Sequence, residues 1–326
     1  MKVVRTAIII LVLLGVLVAS GPRVVIDTTI HPPQLAQDLD AYLAAAEARF
    51  PDIKPGTEKT IIWADPVQKS KAPVAVVYIH GFSATWHESA PLSERIAAKL
   101  GGNLFYTRLA GHGRSDDALG EATVNAWLND AVEAVAIGEQ LGDQVVLIAS
   151  STSAALLTWL AANDHLGQRV SALVFLSPNF GLHDANSELL LWPWGKQIAQ
   201  LVVGRYREWE PLNEQHGYYW THRYPVSALL PMMASVKLAR ETDFSAVHQP
   251  LLILYTKEDI VVDQSKTEQF FPQIGSEPKQ LVAVTTEHPW GHVLAGDILS
   301  PGTTEPLAQR IVDFLLPVLD APEVGQ

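Results

Sequence analysis

Six short, largely apolar runs recur along the chain: Val74–Ile79, Asn103–Tyr106, Val145–Ala149, Ala172–Leu176, Leu251–Tyr255 and Gln280–Thr285. Each is four to six residues long and rich in β-branched or aromatic side chains, the pattern of strands buried on both faces. Between them the period changes. Helices are predicted near Ser89–Leu100, Thr123–Gly138, Thr152–Asn163, Gln264–Phe271 and Glu305–Leu316. A further one is predicted ahead of the first strand, over Gln34–Phe50, where Leu35, Leu39, Leu43, Ala46 and Phe50 fall at spacings of three and four with prolines at both ends. Strands alternating with helices in this way imply an α/β fold: a mostly parallel sheet with helices on both faces.

Two stretches depart from the alternation. Residues 182–248, between the fourth and fifth runs, form a long segment with Trp192, Trp194, Tyr206, Trp209, Tyr218, Tyr219, Trp220, Tyr224, Met232 and Met233. Such a segment either roofs an apolar pocket or packs onto the body by its aromatics, and the pattern alone leaves both open. At the amino terminus, Lys2 and Arg5 precede the apolar run Ala7–Ala19, followed by Ser20, Gly21 and Pro22. Thirteen apolar residues suit the core of a signal peptide, with cleavage after Ser20, and fall short of the roughly 20 that a spanning helix needs. Extended by Thr6 and Ser20, the run also serves as an uncleaved anchor. Either form places the body outside the cytoplasm.

Composition narrows the partners. The 326 residues include 23 Lys plus Arg against 35 Asp plus Glu, a formal charge of −12 that would be repelled by phosphate backbones, so no nucleic-acid partner is expected. There is no cysteine. Thiol catalysis, disulfides, Cys-ligated zinc and a lipid-modified cysteine are thereby excluded. Nothing in the sequence speaks to oligomeric state.

The third strand carries the candidate chemistry. Val145–Ala155 reads V-V-L-I-A-S-S-T-S-A-A, a strand that stops at a serine and continues as a helix. A serine at the tip of a sharp strand-to-helix turn has its hydroxyl clear of the sheet and free helix amides beside it, and the chain folds back so tightly that residues two before and two after must be small. Centring on Ser151 places Ala149 and Ser153 at those positions. Ser150 as centre would crowd Ile148, and Ser153 falls a turn into the helix. An ordinary Ser/Thr helix cap would also fit this segment taken alone.

With its neighbours the chain resembles the α/β-hydrolase family in its serine-hydrolase branch, of the monoacylglycerol-lipase and serine-aminopeptidase type, over about Lys71–Leu319. The motifs are His80-Gly81-Phe82-Ser83 after the first strand, Gly111-His112-Gly113-Arg114-Ser115 after the second, A-S-S-T-S around Ser151 in place of G-x-S-x-G, Asp259 in the loop after Tyr255, and Gly291-His292 after the last strand. The resemblance implies a nucleophile at Ser151, an acid at Asp259, a general base at His292, and an oxyanion hole of the Phe82 and Thr152 backbone N–H groups. The order serine, acid, histidine is that of α/β-hydrolases. Glu258 and His288 are the rival acid and base. Asp263 looks like a helix N-cap, and the resemblance makes His112 structural. Pro289 and Gly291 argue against His288 and His292 as metal ligands on a helix. Neither metal nor cofactor is implied.

The resulting expectation is residues 1–22 as signal peptide or anchor and residues 23–326 as an α/β-hydrolase domain with a helical cap insertion at about 182–248. It would be a carboxylesterase or lipase acting on a small-molecule or lipid ester, exported, with membrane association through the N-terminus. Acyl transfer, aminopeptidase activity and a catalytically silent binding role are the alternatives on the same scaffold. Fluorophosphonate labelling separates the silent form from the others, because only a competent nucleophile reacts.

Overall fold

The computed structural model describes residues 4–6, 8, 9, 15, 16 and 19–320. Most of the apolar run Ala7–Ala19 therefore lies outside the described residues. Among those described, no helix is long and apolar enough to cross a membrane.

Ahead of the sheet lies helix α1 (Leu39–Glu47), capped by Asp38, whose carboxylate accepts from the Ala41 amide. It is shorter than the predicted Gln34–Phe50. An edge strand β1 (Thr60–Ile62) follows, then β2 (Ala72–Ile79), α2 (Leu92–Leu100), β3 (Asn103–Tyr106), α3 (Val124–Leu141), β4 (Gly142–Ser150), α4 (Thr152–Ala161), a single turn α5 (Asp164–Gly167) and β5 (Ala172–Leu176). After β5 come a 3-10 turn at Ala185–Leu191, α6 (Gly195–Val203), a hairpin of β6 (Tyr206–Glu208) and β7 (Arg223–Pro225) that encloses α7 (Glu214–Tyr219), and α8 (Leu229–Glu241). The chain closes with β8 (Leu251–Tyr255), α9 (Gln264–Phe270), β9 (Lys279–Ala283) and α10 (Pro301–Leu319).

The main sheet has seven strands in the order β1-β3-β2-β4-β5-β8-β9, all parallel except the antiparallel edge β1. The alternation of strand side chains divides the core in two. Ala75, Val77 and Ile79 of β2 and Leu147 and Ala149 of β4 pack on one face with α1, α3, α4 and α8. Val74, Val76 and Tyr78 with Val146 and Ile148 pack on the other, against α2 and α10. Burial on both faces is why these strands read as unbroken apolar runs.

Register places the site. Ile79 pairs with Ala149, Ser150 with Leu176, Leu176 with Leu254, and Tyr255 with Ala283. The carboxyl ends of β2, β4, β5, β8 and β9 are thus level, and the loops that leave them converge at one edge, beside the point where strand order reverses.

Candidate active site

At the end of β4 the backbone turns sharply at Ser151, with φ 55° and ψ −116°, a conformation that side-chain-bearing residues rarely adopt. The Ser151 amide donates to Leu176 O at 2.8 Å and its carbonyl accepts from the Asn179 amide at 3.0 Å, so the neighbouring strand end holds the strained turn. Ala149 and Ser153 are fully buried. The Ser153 hydroxyl donates to the carbonyl of His80, tying the first turn of α4 to the end of β2. Ser153 is therefore a tie. Ser150, the other rival, hydrogen-bonds to buried Glu88.

His292 Nε2 lies 3.0 Å from Ser151 Oγ, and His292 Nδ1 lies 2.8 Å from Asp259 Oδ2. With its Nδ1–H donated to the carboxylate, the ring presents Nε2 as acceptor to the serine hydroxyl. The second oxygen of Asp259 accepts from the Val261 and Val262 amides at 2.8 and 3.0 Å, so the buried acid is fixed on both sides. Burial depresses the His292 imidazolium, but the carboxylates of Asp259 and Glu88 outweigh it and its pKa lies above the ordinary histidine value.

The loop of His292 reaches the loop of Asp259 through Gly291, whose φ is 69°. A Cβ there would come within 2.5 Å of the Glu258 carbonyl. Thr256 Oγ1 donates to Gly291 O at 2.6 Å and Ser177 Oγ to His292 O at 2.8 Å. Glu258 is exposed. His288 lies behind the base: its Nδ1 accepts from the His292 and Val293 amides at 3.2 and 3.1 Å, and burial pushes its pKa down to about 3. It holds the backbone on which the nearer histidine sits. Asp263 accepts from the Ser265 amide and caps α9.

Across from the elbow, the turn after β2 comes close because residue 81 is glycine. A Cβ there would meet Ser151 Cβ at 3.3 Å on one side and Glu88 Oε2 at 3.1 Å on the other. Phe82 and Thr152 line the same cavity as Ser151, and among the described residues neither amide donates to another protein group. Two buried neutral imidazoles brace the turn. His80 Nδ1 donates to Gly81 O at 2.9 Å while its Nε2 accepts from the Leu109 amide; His112 Nε2 accepts from the Ser83 amide at 3.1 Å. Burial lowers the His80 pKa to about 4 and that of His112 well below its ordinary value, so both remain acceptors.

Ser151 and His292 open into a cavity of about 790 Å³. Its walls are mostly apolar: Leu189, Leu190, Ile198, Ala199, Leu229 and Met232 on the side of α6 and α8. Of the aromatics in residues 182–248, Trp209, Trp220 and Tyr224 face it. Several of the others, and Met233, are placed elsewhere. Tyr206 bonds Asp117 at 2.6 Å, Tyr218 bonds the Pro55 carbonyl, Tyr219 stacks on His87, and Met233 is in the core. Roof and fastening thus draw on different members of one aromatic-rich segment. Among the described residues no cluster of three or more His, Asp or Glu side chains is arranged to hold a metal.

Comparison with known proteins agrees with this architecture. The sequence profile of the serine aminopeptidase S33 family matches residues 70–287. The chain is 30% identical over 238 residues to a thermostable monoacylglycerol lipase of Bacillus sp. (strain H-257), an overlap of 73% of this chain and 90% of that one. Similar solved structures include one from work on LipS and LipT, two metagenome-derived lipolytic enzymes (21% identity, TM-score 0.65, 81% of this chain and 98% of the other). Another is the Paleococcus ferrophilus monoacylglycerol lipase (14% identity, TM-score 0.58, 80% and 98%). A third is a soluble variant of the Saccharomyces cerevisiae monoglyceride lipase (13% identity, TM-score 0.56, 80% and 92%). At these identities the structural likenesses speak for the fold.

Proposed function

The chain belongs to the serine aminopeptidase S33 family of α/β-hydrolases, and from that premise we propose that it is a carboxylesterase or lipase that cleaves single-chain acyl esters through a covalent acyl-enzyme. The observation that carries this reading is the hydrogen-bonded row Ser151, His292, Asp259 at the wall of a large apolar cavity.

In the proposed reaction Ser151 Oγ attacks the ester carbonyl carbon as its proton passes to His292 Nε2, and the carbonyl oxygen becomes an oxyanion between the Phe82 and Thr152 amides. Asp259 keeps the Nδ1 proton in place and stabilises the imidazolium. Collapse of the intermediate breaks the ester C–O bond, and the imidazolium gives its proton to the departing alcohol. Water then attacks the acyl-serine by the same route in reverse, restoring the serine and releasing the acid. The side chains alone supply every proton transfer.

An ester is favoured over an amino-terminal peptide by the cavity wall. An aminopeptidase must recognise a cationic amine, yet the acidic side chain on this wall is Asp184, which is exposed and already accepts from the Asn186 amide and side chain. We propose residues 182–248 as the cap that selects the acyl chain. Fluorophosphonate labelling followed by a series of p-nitrophenyl esters of increasing acyl length tests the reading. Activity that climbs with chain length is expected; labelling without ester turnover, or cleavage of amino-acyl amides only, would overturn it.

For placement we propose export, with residues 6–20 serving as signal or anchor. The support is the charge and apolarity of that sequence together with the exposed apolar residues Val202 and Ile260 that line the cavity on the body. Cell fractionation with N-terminal sequencing tests it: a start at Gly21 means cleavage, an intact Met1 in the membrane means an anchor, and a soluble cytoplasmic full-length chain contradicts both.

A further inference from the structure

Among the described residues Glu88 is a buried carboxyl group with no Lys or Arg paired to it; burial raises its pKa above the ordinary carboxylate value, while the donors around it and nearby His292 favour its ionised form. It lies in a one-turn 3-10 helix, Trp86–Glu88, and is only 5% exposed. Taking such a group out of water is costly unless its charge is used or its lone pairs are filled. Here they are filled by donors. Oε1 accepts the Gly81 amide at 2.5 Å and the Tyr78 hydroxyl at 2.7 Å, and the Ser150 hydroxyl reaches the same carboxylate. All three donors belong to the strand ends that bear the site: Tyr78 and Gly81 at the end of β2, Ser150 immediately before Ser151.

Its position has two consequences. The first concerns geometry. Gly81 N–H is held by Glu88 and Gly81 C=O by His80 Nδ1. That carbonyl shares its peptide unit with the Phe82 N–H, which in a trans peptide points the opposite way. Pinning Gly81 on both sides therefore aims the Phe82 amide. The second concerns charge. Gly81 sits between the carboxylate and Ser151, so closely that a Cβ on it would meet Glu88 Oε2 at 3.1 Å and Ser151 Cβ at 3.3 Å, and His292 lies within the reach of the carboxylate's field.

Resting on the ester-hydrolase reading above, the geometry points to Glu88 as a positioning residue of the reaction: it fixes the oxyanion turn through Gly81 and supplies a second negative charge that favours the imidazolium of His292. The ionisable groups that face His292 are Asp259 from the loop after β8, Glu88 from the turn after β2 and His288 from its own loop, with His216 of α7 facing His288 in turn. Neutral His288 adds no negative charge, so Asp259 and Glu88 are the two carboxylates that set the base. In the transition state a fixed negative charge favours the imidazolium and disfavours the oxyanion. The pH profile, which reads His292, is therefore the discriminating measurement.

Two variants of the full chain test the proposal, each normalised to the fraction of Ser151 labelled by fluorophosphonate. Glu88→Gln keeps the shape and an acceptor but removes the charge. It is expected to move the acid limb of kcat/KM to lower pH by about half to one unit and to lower kcat about tenfold with KM little changed. Glu88→Asp keeps the charge but withdraws the carboxylate from Gly81 by one methylene. It is expected to lower kcat while the acid limb stays near that of the parent. An unmoved acid limb in Glu88→Gln, even with a slower rate, would overturn the proposal, as would a parental kcat in Glu88→Asp. Failure of the parent chain to label at Ser151 would defeat instead the underlying reading of the site.

Discussion

On the sheet side of the cavity, Ser151, His292 and Asp259 stand at or just beyond strand ends that the register holds level, and every loop among them is tied by buried hydrogen bonds. On the opposite side, α6, the β6–β7 hairpin and α7 are short elements linked by turns, with Leu201 88% and Val202 77% exposed. The sheet side is rich in buried polar groups held by hydrogen bonds, with Asn179 Oδ1 and His288 Nε2 among the few buried atoms left without a protein partner; the other side presents apolar side chains to the cavity and to solvent. Chemistry demands fixed distances, whereas apolar recognition demands area, and the two sides differ in just that respect.

If that division holds, damage on the sheet side should abolish turnover and damage on the cap side should redirect it. The largest effect is expected for Ser151→Ala or His292→Ala, each lowering kcat by about 10⁶ because the residues act as a unit. Loss of activity in Ser150→Ala or Ser153→Ala with Ser151→Ala intact would break the comparison at its base. Asp259→Asn should cost about 10⁴, since the amide misdirects the tautomer while leaving the imidazole in place.

The pH dependence sharpens the same side. His292 must be neutral to accept the serine proton, and its pKa is raised by Asp259 and Glu88 over the opposing effect of burial. The acid limb of kcat/KM should therefore have its midpoint above about 6.5, with activity falling about tenfold per pH unit below it. A midpoint below the ordinary histidine value would contradict the geometry.

Cap-side effects should be smaller and selective. Ala199, on α6, is buried and lines the cavity, so Ala199→Phe should fill part of it. Preference for the longest acyl chain should fall by about fourfold for each methylene no longer accommodated, at ~0.8 kcal/mol each, while hydrolysis of acetyl esters is kept. A rate series over p-nitrophenyl esters checks this. Smallest of all, Asp263→Ala should cost about 1 kcal/mol of stability through the lost cap of α9, read by urea denaturation, with chain-length preference unchanged.

The same contrast explains what could be read from the residues beforehand. Strands buried on both faces announce themselves, and Ser151 and Asp259 follow such strands directly, whereas His292 comes after β9, a half-exposed edge strand that still reads as apolar. The one-turn helix bearing Glu88 is too short to show a period, and its meaning depends on β2 and β4 being in register, which no local pattern encodes. Ser153 read as a mere small residue for the same reason: its partner, the His80 carbonyl, is remote in sequence. In α10, Pro306 and Pro317 obscured a helix that runs from Pro301 to Leu319, past both ends of the predicted Glu305–Leu316. The edge strand β1 and the β6–β7 hairpin strands have three residues each, too few to show a period. The hairpin within residues 182–248 lay below that threshold, and the aromatics of that segment could not be sorted into lining and fastening until it was placed.

The central claim is that Ser151 is an activated nucleophile served by His292. Treating the full chain with a fluorophosphonate and mapping the adduct by mass spectrometry, in the parent and in His292→Ala, tests it most directly. One adduct on Ser151 in the parent, formed orders of magnitude more slowly in the variant, is the expected result. An unlabelled parent, an adduct on Ser150 or Ser153, or equal labelling rates in the two proteins would contradict it.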